Sequence, residues 1–256
     1  MLEQKIPTGA DGAATVKSAQ RVLDIFELYA STQSPATLSS IASALHMPKS
    51  SCLALLETLA SNGYLYEVRP QGGYYPTRRW LDKAQAISSC DPLVREVHPV
   101  LESLCDATGE TVVLGKLVER GILNIDVVES KQTLRYAAVA GQIKPLHGIA
   151  AGKAALSALP PEKRKALIDT LEFRALTPHT IVDRGAYERD IQTGIARGWQ
   201  LSRGEYIADA WGVAVPLVLM NQIFVLAATG PSQRMERSVE FIGERLCAAR
   251  RSIEKT

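Results

Sequence analysis

The chain has 256 residues and a mass of 27.8 kDa, which fits one large domain or two modest ones. Hydrophobic residues make up 46% and charged residues 22%, so there is enough apolar material for a core and too little polar excess for a disordered chain. With 29 Lys and Arg against 27 Asp and Glu, the net charge of +2 excludes a nucleic-acid binder that works by bulk positive charge, though not one that places a few cations well.

Residues 1–14 are small and polar with two glycines and are expected to form a disordered leader. From Ser18, a candidate N-cap, Val22, Leu23, Ile25, Phe26 and Tyr29 recur at helical spacing, predicting a helix over 18–31. After the connector 31–36, Leu38, Ile41, Ala42 and Leu45 mark one face of a short second helix within 37–46. Met47 and Pro48 turn the chain, with Pro48 expected at the first position of a third helix. That helix carries Cys52, Leu53, Leu55, Leu56 and Leu59 inward and stops at Asn62-Gly63. Tyr- and Val-rich runs at 64–68 and 73–77 flank Arg69-Pro70-Gln71-Gly72, a hairpin. Three helices, a tight turn between the second and third, and a hairpin spell a winged helix-turn-helix over 15–78. Such a unit can put the start of its third helix, here Lys49, Ser50 and Ser51, into a DNA groove with free amides facing phosphate. A small helical protein-interaction module is the competing reading of the same pattern.

A linker helix is expected over 79–91, broken by Asp91-Pro92, and a longer helix follows over 93–107. The remaining chain changes character: β-rich runs at 111–118, 122–128 and 134–139, helical segments near 149–158, 161–172 and 187–197, strands near 199–203, 212–220 and 223–229, and an amphipathic helix over 232–254. The fold class is therefore α+β, with a second domain over 92–256.

Few residues offer chemistry. The stretch from Gly148 to Ala154 has its glycines three residues apart and no hydroxyl after Lys153, so it is not a phosphate-binding loop of the nucleotide hydrolases. It reads as a tight turn into a helix whose free amides suit a carboxylate. His147 could be a general base, alone or with Glu205, but no nucleophile motif accompanies it, and an enzyme is not expected. Cys52, Cys90, Cys105 and Cys247 are far apart and are read as four buried free thiols, with no metal and no cofactor. The N-terminus lacks a signal-peptide core, and the longest apolar stretch, 213–230, is interrupted by Pro216, Asn221 and Gln222. A cytoplasmic protein that does not enter a membrane is expected.

Three motifs, LSSIASALHMPKSSCLALLETL at 38–59 with Gly63, Tyr64 and Leu65, PLHGIAAGKAAL at 145–156, and Gly204-Glu205 leading to VAVP at 213–216 and ATGP at 228–231, resemble the IclR-type transcriptional regulators in this order. The resemblance spans roughly 16–254. It implies a homodimer or homotetramer that binds a palindromic double-stranded DNA operator, with a GAF-like C-terminal α/β effector domain for a small organic acid. Position by position, it puts Pro48, Lys49, Ser50 and Ser51 against DNA and makes Arg21, Arg69, Arg78 and Arg79 phosphate or minor-groove contacts. It puts Ile149, Ala150 and Ala151 at the effector, with Ser202, Glu205, Ala210, Gly212, Ala227 and Thr229 as opposing walls. Three departures stand out. Ala54 replaces a common arginine, the segment 74–79 replaces the usual Tyr-x-Leu-Gly and moves Arg78 and Arg79 to the domain junction, and small Gly212 and Ala227 replace thiol or hydroxyl side chains. The last predicts a bulkier aromatic or branched acid. The function so implied is ligand-responsive regulation of a catabolic operon; a metabolite-binding enzyme or an interaction module on the second domain is the alternative.

Overall fold

The computed structural model describes residues 16–68, 72–119 and 121–255. The expected leader at 1–14 and Arg69 lie outside the described residues. The chain divides into two compact units, one ending at Asp91 and the other beginning at Pro92.

In the first unit, α1 (Lys17–Thr32), α2 (Leu38–Ala44) and α3 (Lys49–Ser61) precede a hairpin of β1 (Leu65–Glu67) and β2 (Tyr74–Pro76). Thr37 caps α2 through its hydroxyl, which accepts from the Ser40 amide at 3.2 Å. The turn into α3 passes through His46, whose φ of 48° lies in the left-handed region. Ile25, Tyr29, Ile41, Cys52, Leu56 and Leu65 close a core, and burial pushes the Tyr29 phenol up to about 12. The hairpin is tied to that core: Tyr29 Oη donates to the Tyr74 carbonyl at 2.9 Å, and Tyr74 pairs across to Ala36. The linker helix α4 (Arg79–Ser88) is not a bare spacer at its start, because Trp80 lies against Phe26 and Tyr64 and its indole N–H donates to the Tyr64 carbonyl at 3.1 Å.

The second unit is one antiparallel sheet of six strands in the order β5-β4-β3-β8-β7-β6. These are β3 (Thr111–Val118), β4 (Gly121–Val128), β5 (Ile143–Lys144), β6 (Gln200–Arg203), β7 (Ala210–Leu219) and β8 (Gln222–Pro231). The period-2 alternation assigns its faces. Val213, Val215, Leu217, Leu226 and Ala228 turn toward α5 (Pro92–Thr108) and α9 (Ser232–Ile253). Ala214, Val225 and Ala227 turn toward α6 (Ala150–Ser157), α7 (Pro161–Thr170) and α8 (Arg184–Arg197). The result is a sheet with helices on both faces, as the α+β, GAF-like expectation requires.

Two sequence expectations change. No strand forms at 134–139; the edge strand is instead the short β5. Segment 134–142 is a strap whose carbonyls are held by other elements: Arg234 Nη1 donates to Leu134 O at 2.9 Å, Thr111 Oγ1 to Tyr136 O at 2.6 Å, and Asn124 Nδ2 to Val139 O at 3.1 Å. Those side-chain donors displace a regular ladder. The thiols also differ: Cys52 and Cys105 are buried, Cys90 is exposed and Cys247 is half-buried. Among the described residues, no helix is long and apolar enough to cross a membrane, and no group of three His, Cys, Asp or Glu could hold a metal ion.

Candidate functional site

The first site is the exposed start of α3. Pro48 is the N-cap rather than the first helical residue, because its carbonyl already accepts from the Cys52 amide at 3.0 Å. No side chain caps this end, so the amides of Lys49, Ser50 and Ser51 have no intrahelical partner. Pro48, Lys49 and Ser50 are exposed and Ser51 is half-buried, while Cys52, Leu56 and Leu59 anchor the opposite face. Ala54 is exposed on the same helix. Arg21 is half-buried on α1, and Arg78 is exposed at the head of α4. Arg79 lies at the other end of α3: its guanidinium carbon is 5.1 Å from the Tyr64 ring centroid, and its stem lies over Gly63.

The second site is a cavity of about 640 Å³, including its mouth, on the α6 side of the sheet. Its walls include eight of the nine positions expected for an effector: Ile149, Ala150, Ala151, Ser202, Ala210, Gly212, Ala227 and Thr229. Small residues make the space. A Cβ on Gly212 would sit 3.4 Å from Ala150 Cβ and 3.3 Å from Thr229 Oγ1, so the first turn of α6 rests directly on the sheet. A Cβ on Gly152 would lie 2.0 Å from the Leu146 carbonyl oxygen, so only glycine lets the chain turn this tightly into the helix. Ile149 is an extended N-cap with no side-chain cap, which leaves the Ala150 and Ala151 amides free at the cavity wall. Ser202 fixes the turn by donating to the Gly148 carbonyl at 2.8 Å.

Glu205 is the ninth expected position, and the structure corrects it. Its buried carboxylate turns away from the cavity onto Lys153, whose Nζ donates to Glu205 Oε1 at 2.5 Å, Asp190 Oδ2 at 2.7 Å and the Leu201 carbonyl at 3.0 Å. Lys153 has no exposed surface, and a charge that deep requires those partners. His147 is likewise committed. Its Nε2 is 2.7 Å from the Ile181 carbonyl and donates to it, the ring packs on Phe173 and Tyr187, and burial holds its pKa below the ordinary range. Neither residue of the acid/base pair lines the cavity.

The cavity also contains residues that the sequence motifs did not single out. Val113, Ile122 and Val225 extend its apolar floor, and Asn124, Tyr136, Ala138, Lys144, Tyr206 and Trp211 also line it. Burial pushes the Tyr136 phenol up. These positions fall outside the motifs, Tyr136 and Ala138 on the strap, Lys144 on the edge strand, Tyr206 in the β6–β7 loop and the others on β3, β4, β7 and β8; the aromatic residues and Lys144 inside a β-rich region were the available signal.

A winged helix-turn-helix unit followed by an α/β unit with an apolar cavity at the amino end of α6 defines the class of effector-binding transcriptional regulators. The chain belongs to the IclR family of bacterial transcriptional regulators: residues 84–254 match the bacterial transcriptional regulator IclR C-terminal family and residues 18–69 the IclR helix-turn-helix domain. It is 28% identical over 229 residues to the HTH-type transcriptional regulator BhcR of Paracoccus denitrificans, covering 89% of this chain and 82% of that one. The solved IclR family transcriptional regulator of Brucella abortus superposes with a TM-score of 0.76 at 25% identity, over 94% of this chain and 93% of that one. An IclR homolog of Microbacterium hydrocarbonoxydans, solved in complex with 4-hydroxybenzoate, has the same fold at 22% identity, with a TM-score of 0.76 over 93% of this chain and 98% of that one.

Proposed function

We propose that this protein represses or activates a catabolic operon in response to a small organic acid, aromatic or branched, held in the chamber of the second unit. The carrying observation is the free amino end of α6, which opens onto an apolar cavity floored by Gly212, Ala227 and Val225. The amides of Ala150 and Ala151 suit a carboxylate, and the small floor residues leave room for a ring or a branched chain. Ser202, Ala210 and Thr229 form the remaining contacts.

On this reading the operator is a palindrome bound by two copies of the chain in a dimer or tetramer, and the protein works in the cytoplasm. Lys49, Ser50 and Ser51 with Pro48 enter the major groove; Arg21, Arg69, Arg78 and Arg79 meet phosphates or the minor groove. Footprinting on the promoter beside the protein's own gene tests both halves. A protected palindrome that changes when a bound acid is added is expected, and no protection at low salt would sink the proposal. Replacing Lys49 and Ser51 by Ala should weaken protection while leaving the melting temperature unchanged.

A further inference from the structure

We propose that Lys144 is the specificity-determining residue of the chamber, forming an ion pair with the carboxylate of the ligand and excluding neutral molecules of the same shape. This rests on the organic-acid reading above and assigns the residue that enforces it.

Lys144 is the one charged side chain among the described residues that line the cavity. Its backbone is fixed. In β5 it pairs with Ile122 of β4, and the close approach of Gly121 to the Lys144 carbonyl leaves no room for a Cβ there, which would lie 2.1 Å away. Its ammonium has no carboxylate partner among the described residues. It lies 5.5 Å from the centroid of the Tyr206 ring, a contact weaker than a charge-assisted hydrogen bond. A half-buried cation in a cavity with no acidic wall is an unneutralised charge, and an incoming anion neutralises it.

The contacts also place that charge. Tyr206 directly follows Glu205, whose backbone carbonyl lies 3.5 Å from where a Gly148 Cβ would stand. Edge strand β5 and the β6–β7 loop come from opposite ends of the sheet order, yet they meet here, beside the turn into α6. The contacts from Lys144 to Tyr206 and from Glu205 to Gly148 lead toward the turn before α6, so on this proposal the ligand carboxylate sits between the ammonium and the amides of Ala150 and Ala151, with Val113 and Ala227 against its apolar part. A carboxylate set there receives both sets of donors. A neutral amide of the same shape leaves Lys144 desolvated and unpaired, and that mismatch supplies the discrimination.

The test pairs 4-hydroxybenzoate, phenylacetate and 3-methylbutanoate with their amides, using melting temperature and then calorimetry on the full chain as wild type, K144Q and K144R. In the wild type the acids bind and outcompete the amides. K144Q should weaken the acids about tenfold to hundredfold, the range for losing a hydrogen bond to a charged group, and leave the amides unchanged. K144R should retain the preference. Raising the ionic strength about tenfold should weaken acid binding by the wild type and spare the amides, a readout that needs no variant to fold. Equal acid binding by K144Q and wild type overturns the role of Lys144 and leaves the organic-acid reading standing. Amides binding as well as acids, or no binding by either set, overturns both.

Discussion

Two histidines of the effector unit obey opposite electrostatic rules, and the pH dependence of stability follows from them. His147 is buried, and desolvation is the largest influence lowering its pKa from the ordinary 6.5. The unfolded chain therefore takes up a proton before the native state does. The contribution of His147 is complete above about pH 6.5 and is lost as pH falls through the lower native value. His98 on α5 is raised instead, first by its hydrogen bond to Asp126, at 2.6 Å between Nδ1 and Oδ2. Its contribution is present below the unfolded value and is lost as pH rises through the native one. Melting temperatures between about pH 5 and 8 should decline on the acid side in the wild type, and H147Q should flatten that acid limb. H98Q should flatten the alkaline limb; an unchanged profile in either variant rejects its assignment. The buried Lys153 makes a third residue-scale case. Removing it as K153M leaves the buried Glu205 carboxyl without its cationic partner, at a cost of about 3–5 kcal/mol. The double variant K153M/E205Q should recover part of that loss in denaturant unfolding, since no buried charge is then stranded.

Individual elements differ in how far the sequence alone specifies them, and the reason is the range of the interactions that shape them. The helix-turn-helix is local: Thr37 caps its own helix, Pro48 starts the next, and Leu38 with Ile41 on one helix and Cys52 with Leu56 on the other recur at helical spacing. Reading those positions gives the right elements within a residue or two. The strap is the contrary case. Leu134, Tyr136 and Val139 look like a strand, but Arg234, Thr111 and Asn124, from α9, β3 and β4, hold the carbonyls and prevent pairing. Motif resemblance found the turn into α6 and the floor strands of the chamber. It misplaced Glu205, since the sequence does not show that Lys153 faces it, and it passed over Lys144 and Tyr206, which come together only through the sheet edge and loop. On α3 the exposed Ala54 supports a direct prediction. A54R adds a cation to the proposed DNA-facing helix and should tighten operator binding while steepening log K against log salt by about 0.9 per subunit. Fluorescence anisotropy at several salt concentrations measures the slope; no steepening removes this part of α3 from the interface.

At the scale of the whole molecule, a net charge of +2 leaves little non-specific attraction for DNA, so affinity must come from placement and duplication. Residues 1–90 carry eight cations and seven anions, and only Arg21, Lys49, Arg69, Arg78 and Arg79 are assigned to the interface. If all five neutralise phosphates, a single half-site should show a salt slope no steeper than about −4.5. A palindrome bound by two copies should then approach about −9, because each copy releases its own counterions. The first unit has its own core around Ile25, Ile41 and Leu56, so a 16–91 fragment should fold. It should nevertheless bind a palindrome weakly, with a slope near the half-site value, because the second unit is expected to bring two copies together. Anisotropy titrations of the full chain and the fragment, on half-site and palindromic DNA over a range of salt, separate the possibilities. Equal affinity and slope for fragment and full chain on the palindrome would show that one winged unit suffices, and the paired-operator proposal would fall with it.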